Sequence, residues 1–461
     1  MNKWIRGTNA TVLSLAVIGI FIVATIFLGS LGKLQWDLTK DKKNTLSEQT
    51  LNVLKKLDKN VNIIAFTGGQ TDPYLSRQVM DLLKEYQRQN SKISLVEYDM
   101  MKQPSMANQY NVDPSGTVVF ESGDTKKNVS FYQMFFPDQM GSYYFTGEEK
   151  FTQAILNVTS TEKHTVYFLT GHGEIPMTEL STLRSNLEGA NYVVNELHLY
   201  REGKVPDDAE ALFILGPQND LNNAETELIK QYLNGNGKLF LALGFNQNMA
   251  TAWPNLDSIM AMLGVKDEHA VAIEPKQTTL FDPLTIVPQY GFHTIVNKLD
   301  ETSLLTVMSL AISLNVQSDA TDYEPTLLLK TTNQAYGETN LEMLLNSRTQ
   351  KDDNDISGPL NLAYAVENKD RKPKAVIVGG STFLHDREIM VQGNRDFAMN
   401  SVGWLQEKED EVTIRPRQGE QYQRALILPN SANAIFYGTV VLFPMFFLVV
   451  GGLIWWRRRK G

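Results

Sequence analysis

Ten residues, Thr165 to Glu174 (TVYFLTGHGE), constrain the fold of this chain more than any other stretch. Val166, Tyr167, Phe168 and Leu169 form a β-branched, aromatic and aliphatic run without polar alternation, the pattern of a strand buried on both faces. Gly171 and Gly173 follow at once, and glycine permits the positive φ or close backbone approach that a sharp strand-to-loop turn requires. Strands buried on both faces belong to parallel sheets covered by helices, so the stretch predicts the first unit of an α/β domain. In open sheets of this kind ligands sit at the carboxyl ends of the strands, which puts His172 and Glu174 where a site forms.

The downstream pattern alternates in the same way: helix 177–187, strands 192–197 and 211–215, helix 224–233, strand 238–243 and helix 256–263. Gly235-Asn236-Gly237 punctuates the last helix-to-strand step. From about 265 to 365 the pattern loosens into strand-like runs at 304–316 and 326–330 and a polar segment at 348–357. It returns as strand 375–378, loop 379–383, helix 395–406 and a closing strand 412–415. The expectation is one doubly wound sheet domain over 162–415 with an insertion at about 265–365.

Upstream, Thr45-Leu46-Ser47-Glu48 has a capping-box pattern that opens a helix, with Leu46, Thr50, Val53, Leu54 and Leu57 on one face. Strand 62–66, helix 74–90 with Val79, Leu82, Leu83 and Tyr86 inward, strand 93–98, helix 104–110 and strand 116–121 follow. This β-α-β-α-β order over 45–123 resembles a thioredoxin-like domain. Thioredoxin chemistry needs C-x-x-C after the first strand, and Thr67-Gly68-Gly69-Gln70 stands there instead, so the domain is expected to serve structure or binding without redox activity. Residues 124–161 read as a transition that carries an aromatic cluster (Phe131, Tyr132, Phe135, Phe136, Tyr143, Tyr144, Phe145) and ends in a helix at 146–157 with Phe151, Ile155 and Val158.

Composition narrows the function classes. The 461 residues allow two or three domains with full cores, and the absence of cysteine excludes disulfides, thiolate zinc sites and a cysteine nucleophile. The formal net charge is −9, and six positive charges sit at the two ends (Lys3, Arg6, Arg457, Arg458, Arg459 and Lys460), which leaves −15 for the stretch between. No nucleic-acid partner is expected for so acidic a body.

Segments 10–31 and 435–456 are each about 22 residues without a charge, long enough to cross a hydrocarbon core of roughly 30 Å. Trp4 and Trp36 flank the first, Trp455 and Trp456 close the second, and Arg457, Arg458 and Arg459 follow at the membrane interface. A cleaved signal peptide is the alternative for the first segment, but its apolar run is longer than an h-region and no A-x-A site follows. Basic residues beside spans stay in the cytoplasm, so the expectation is a bacterial cytoplasmic-membrane protein with two spans, both termini inside and a large extracytoplasmic body.

Candidate chemistry is sparse. His172 and Glu174 lack the H-E-x-x-H spacing of a zinc site, and the other five histidines show no ligand pairing, so a strand-to-loop turn with both side chains bonded to backbone is expected ahead of a base or metal ligand. Gly235-Asn236-Gly237-Lys238 lacks phosphate-loop spacing and precedes a strand. Gly379-Gly380-Ser381 follows a strand, yet position 383 is Phe, so the G-x-S-x-G elbow is not met. Asp352, Asp353 and Asp355 offer ligands for weak calcium binding, but the run lacks the glycine and distal glutamate of an EF-hand, so a solvated loop is the expectation and no metal site is assigned. His172, Glu174, Ser381 and Thr382 remain as binding candidates, with no catalytic residue and no cofactor assigned.

The order of short motifs carries a resemblance. An N-terminal anchor, Asp37-Leu38-Thr39, Leu46-Ser47 with Thr50, Gly171-His172-Gly173-Glu174, a helix with Phe397, Asn400, Trp404 and Leu405, and a terminal span with an Arg-rich tail together resemble the Gld-type (gliding-motility-like) auxiliary subunits of ABC transporters. That resemblance implies a central domain similar to the glutamine-amidotransferase α/β fold without its active site. Members of the family often carry an acidic G-D-S-D-F-like loop after the late strand, where this chain has Gly379-Gly380-Ser381-Thr382-Phe383. The function it implies is a non-enzymatic subunit, working with a separate permease and P-loop ATPase, that binds substrate or couples the transporter to an envelope polymer, peptide or protein. A membrane-anchored surface hydrolase using His172, Glu174 or Ser381, or a pure scaffold, is the alternative.

Overall fold

The structure is a computed structural model that describes residues 16–23, 25, 45–69, 72–110, 112–137, 143–160, 163–275, 282–301, 304–317, 322–345, 350–391, 393–407 and 443–460. It is a mixed α/β architecture with several sheets.

The first sheet holds β1 (Val61–Thr67), β2 (Ile93–Asp99), β3 (Thr117–Ser122) and β4 (Thr125–Ser130) in the order β2-β1-β3-β4. β1 and β2 are parallel, whereas β3 runs antiparallel to β1 and β4 antiparallel to β3. Four helices accompany it: α1 (Glu48–Lys56), α2 (Pro73–Gln89), α3 (Pro104–Tyr110) and α4 (Gly147–Thr159). Apolar residues at helical spacing dictate the packing: Leu54 of α1, Leu83 and Tyr86 of α2, and Phe151 and Ile155 of α4 close over Val61, Ile63 and Phe120.

Two local readings change. The N-cap of α1 is Ser47, whose Oγ accepts from Thr50 N at 3.2 Å, and the acid that reaches back to the Ser47 amide is Glu148 of α4, at 2.6 Å, rather than Glu48. A buried helix start thus finds its second cap from a packed neighbour. Of residues 124–161, set apart above as a transition, β4 completes the first sheet, α4 completes its core, and Phe135–Pro137 pairs with Tyr143–Phe145 as a separate two-stranded sheet. Phe131 and Phe135 of the aromatic cluster are buried there and Phe145 packs against them, whereas Tyr132 is exposed.

The second sheet begins with β5 (His164–Leu169), β6 (Tyr192–Leu197), β7 (Ala211–Leu215) and β8 (Leu239–Ala242). Next come β9 (Val265–Ile273), β10 (Ile312–Val316), β11 (Tyr323–Lys330), β12 (Tyr336–Glu338), β13 (Asn361–Asn368) and β14 (Pro373–Val378). Five strands are parallel and neighbour one another as β6-β5-β7-β8-β14. In chain order among these five, that is 2-1-3-4-5, with the order reversing between β5 and β7.

The central parallel strands β7, β8 and β14 are buried on both faces because both faces are covered, whereas the edge strand β6 alternates between buried and exposed residues. Phe168, Phe213, Phe240 and Val376 point to one core, with α5 (Ser181–Gly189), α8 (Thr294–Glu301) and α9 (Asn394–Leu405). Leu212, Leu241 and Ile377 point to the other, with α6 (Asn223–Asn234) and α7 (Pro254–Met262). Phe168, Phe213 and Phe240 stack across three strands with ring centroids 4.7 and 5.3 Å apart.

Of the stretch 265–365, β9, β10, β11, β12 and most of β13 join this same sheet, while Thr285–Ile286 and Met308–Ser309 pair separately and Thr294–Glu301 forms α8. β13 lies antiparallel beside β14, and β11, β10, β9 and β12 continue the antiparallel half outward. The inserted stretch therefore doubles the width of the sheet that it interrupts in sequence.

At the chain ends, residues 16–23 are helical and a helix spans Phe443–Lys460. Among the described residues no helix is long and apolar enough to cross a membrane. Most of segment 10–31 and the first part of 435–456, with Trp4, Trp36, Asp37-Leu38-Thr39 and the expected strand 412–415, lie outside the described residues.

Candidate functional site

The turn after β5 spans the point where strand order reverses. Thr170 N donates to Leu197 O at the end of β6 (2.9 Å), and Ile175 N donates to Leu215 O at the end of β7 (2.9 Å). Between them Gly171 and Gly173 have φ of 121° and 75°, conformations that suit glycine, and a Cβ on Gly173 would lie 2.9 Å from Gln218 Cβ. The loop after β7 locks the turn from below: the Gln218 and Asn219 amides both donate to His172 O at 2.8 Å.

His172 is folded into this turn, 8% exposed. Its amide donates to Glu174 Oε2 at 2.7 Å, its Nδ1 faces Glu174 Oε1 at 3.0 Å, and its Nε2 faces Glu225 Oε2 at 3.0 Å. An ionised carboxylate only accepts, so two carboxylates facing the two ring nitrogens favour the doubly protonated imidazolium. The hydrogen bond to Glu174 raises the His172 pKa above its ordinary value against the opposing effect of burial, and the bond to Glu225 adds to the rise. Glu174 and Glu225 are themselves buried, with side chains 4% and 2% exposed.

Glu225 sits in the first turn of α6, where Asn222 and Glu225 form a reciprocal capping box: Glu225 N donates to Asn222 Oδ1 (3.0 Å) and Asn222 N to Glu225 Oε2 (3.1 Å). The carboxylate that caps α6 therefore also holds His172. Sequence reasoning missed Glu225, Gln218 and Asn219. The N-x-x-E pattern at 222–225 signals the cap, but nothing in sequence joins it to a histidine 53 residues away.

Both ring nitrogens are taken up by carboxylates at 3.0 Å, so neither is open to a metal ion in this arrangement. On the outer side of the turn lies an open concavity of about 400 Å³ lined by Thr170, Gly173, Glu174, Met177 and Glu196 among others. A larger hollow of about 740 Å³ lies at the opposite, amino-terminal edge of the strands, between Lys204, Tyr232, Lys238 and Lys374. We weight the smaller one because it adjoins the reversal of strand order, where α/β sheets bind ligands.

Ser381 and Thr382 reach the same strand-end edge from β14. A Cβ on Gly216, after β7, would lie 2.9 Å from Ser381 Oγ and 3.0 Å from Ile175 Cγ1, so three loops meet over one glycine. Thr382 Oγ1 donates to Ser309 O (2.8 Å) and accepts from Ser309 N (3.2 Å), which commits it to tying loops together. Gly379 is required by closeness, since a Cβ there would collide with the backbone oxygen of Ile312, whereas one on Gly380 would lie 3.3 Å from the mobile end of Met308. Among the described residues no hydrogen bond joins Ser381 or Thr382 to His172 or Glu174.

Of the membrane-interface candidates within the described residues, Trp455 and Trp456 are exposed, and the Arg459 guanidinium lies 5.2 Å from the centroid of the Trp455 ring. Phe397, Trp404 and Leu405 are core residues of α9, and Asn400 Nδ2 donates to Ile295 O of α8 at 3.0 Å.

A family model described as an ABC-type uncharacterized transport system matches residues 163–423, more than half of the chain. A second, described as a domain of unknown function, matches residues 40–136. No curated protein matches the sequence. Similar solved structures include the mmIFT52 N-terminal domain, at 15% identity over 52% of this chain and 96% of that one with a TM-score of 0.39. A putative thua-like protein from Bacteroides uniformis is similar at 13% identity over 53% and 93%, with a TM-score of 0.34. A putative GMP synthase protein from Thermoplasma acidophilum is similar at 10% identity over 54% and 96%, with a TM-score of 0.28.

Proposed function

This chain belongs to the family of ABC-type transport-system auxiliary components, and on that premise we propose that it is a non-enzymatic, membrane-anchored subunit of the Gld type. Its body is extracytoplasmic and binds a substrate or couples a separate permease and P-loop ATPase to an envelope component. The observation that carries the non-catalytic part is the sealed histidine: His172, at the reversal of strand order, has both ring nitrogens 3.0 Å from buried carboxylates.

The 2-1-3-4-5 order of the parallel strands, with helices on both faces, supports an amidotransferase-like body whose nucleophile is absent. The β2-β1-β3-β4 order, with α4 closing the core, supports a thioredoxin-like first domain without redox cysteines. Anchoring rests on the charge-free segments and on exposed apolar side chains such as Phe21 and Phe446 in their described parts. A hydrolase built on His172, Glu174 or Ser381 draws less support, because no hydrogen bond among the described residues links the hydroxyl to the histidine.

Detergent extraction of the full-length chain from its host, affinity capture and mass spectrometry test the assignment. The expected result is co-recovery of a polytopic permease and a P-loop ATPase. Recovery of the chain alone, under conditions that preserve other membrane complexes, overturns it.

A further inference from the structure

The loop that carries Asp352 and Asp355 folds back onto the outer strand β12 rather than into solvent. Ile356 and Ser357 pair with Gly337 and Tyr336 of that strand. One carboxylate oxygen from each of Glu338, Asp352 and Asp355 lies within 4.8 Å of the others. Three like charges this close repel one another, most strongly where water is excluded. Glu338 is fully buried; its Oε1 accepts from Asn340 N at 2.8 Å, while its buried Oε2 meets no donor among the described residues and its carboxyl lies against that of Asp355. A buried carboxylate oxygen left without a donor is costly, and native proteins rarely keep one without a ligand for it.

No ion pair among the described residues reaches the three acids, and Lys351, adjacent to Asp352, donates instead to Ser357 Oγ at 2.8 Å. Backbone amides already shape the loop around the site: Thr339 N and Asp352 N donate to Asp355 at 3.3 and 2.7 Å, and Asn354 N donates to Asp352 Oδ1 at 2.7 Å. Among the described residues no positive group faces the three acids, and a cation would supply one.

We propose that Glu338, Asp352 and Asp355 form a divalent-cation site, selective for calcium, that pins the 350–356 loop to the edge of the sheet. The donors are all hard carboxylate oxygens, with no imidazole or thiolate to favour zinc or copper. A set of protein carboxylates suits calcium over magnesium, because calcium accepts six to eight oxygens in flexible geometry, whereas magnesium demands near-octahedral bonds of about 2.1 Å and keeps several of its waters. Asp353, the third acid of the sequence run, is exposed and outside the group, and the buried Glu338, 14 residues before Asp352, takes its place. The role is structural, and it goes beyond the transport-subunit reading without depending on it.

Thermal unfolding of the chelator-treated full-length protein tests this, with calcium or magnesium chloride added back at about 5 mM, a level suited to sites of millimolar affinity. Calcium is expected to raise Tm by about 2–4 °C and magnesium by clearly less. Asp352→Asn and Asp355→Asn should abolish the shift, and Asp353→Asn should keep it. Glu338→Gln is the decisive variant: it should raise Tm in chelator, by relieving repulsion, and lose the calcium response, a combination that misfolding does not produce. A wild-type Tm indifferent to calcium overturns the proposal, as does a wild-type-sized calcium response in Glu338→Gln or Asp355→Asn.

Discussion

His172 gives up water for two buried carboxylates, and the exchange is favourable only while the ring carries both protons. Its pKa in the folded chain is raised, chiefly by the bond to Glu174 and further by Glu225, with burial opposing. A histidine whose folded pKa exceeds its unfolded value contributes stability that is complete below about 6.5 and fades as pH rises through the folded value. Replacing it by alanine leaves Glu174 and Glu225 buried without their cation, and removing one partner from a buried ionic group costs about 3–5 kcal/mol. His172→Ala should therefore lose about that much in urea unfolding at mildly acid pH, and the deficit relative to wild type should shrink as pH rises. A deficit unchanged across that range would show that the ring acts by packing alone. The turn itself was legible from Gly171 and Gly173, but the fate of His172 was not. Its second carboxylate comes from the capping box of α6, and caps are read from sequence only within a few residues.

At the scale of elements, three strand-end loops share the space over Gly216, whose φ of 68° and near neighbours exclude a side chain. Gly203 has nearly the same φ, 66°, with nothing within 4 Å of an added Cβ. Comparing alanine at the two positions separates backbone strain from collision. Gly203→Ala should cost about 1–2 kcal/mol for the left-handed conformation alone. Gly216→Ala should cost about 2–4 kcal/mol because Ser381 and Ile175 must also move. Equal costs in denaturant titrations would mean that the loops over Gly216 yield freely. The strands that these loops join were legible because two covering layers demand unbroken apolar runs, as in Ala211–Leu215. The hidden strands lacked that demand. β4 reads TKKNVS and is mostly exposed at a sheet edge. β9 carries Asp267 and His269 through a register shift, which breaks the period on which strand recognition depends.

Across the whole molecule, α4 belongs to the first core through Phe151 and Ile155 yet also faces the second. Asn157 Nδ2 donates to Gly189 O at 2.7 Å, and Arg395 of α9 meets Glu149 Oε2 at 3.1 Å with both side chains under a tenth exposed. No sequence period announces such a link, because its partners lie 246 residues apart and each reads as a solvated charge. Burial makes it strong in one sense only: a well-packed apolar pair can replace it, but one partner alone cannot remain. Arg395→Met should thus destabilise by about 3–5 kcal/mol, and adding Glu149→Leu should recover much of the loss. Hydrogen exchange distinguishes this link from ordinary core packing. In the wild type, amides of β1 and β7 should share one opening free energy, as parts of a single cooperative unit. In Arg395→Met the protection of the two strands should separate, because the helix that carries Glu149 no longer ties the first core to the second. Protection that falls equally in both strands would place the coupling in the α4–α5 contact around Asn157 and Gly189 instead.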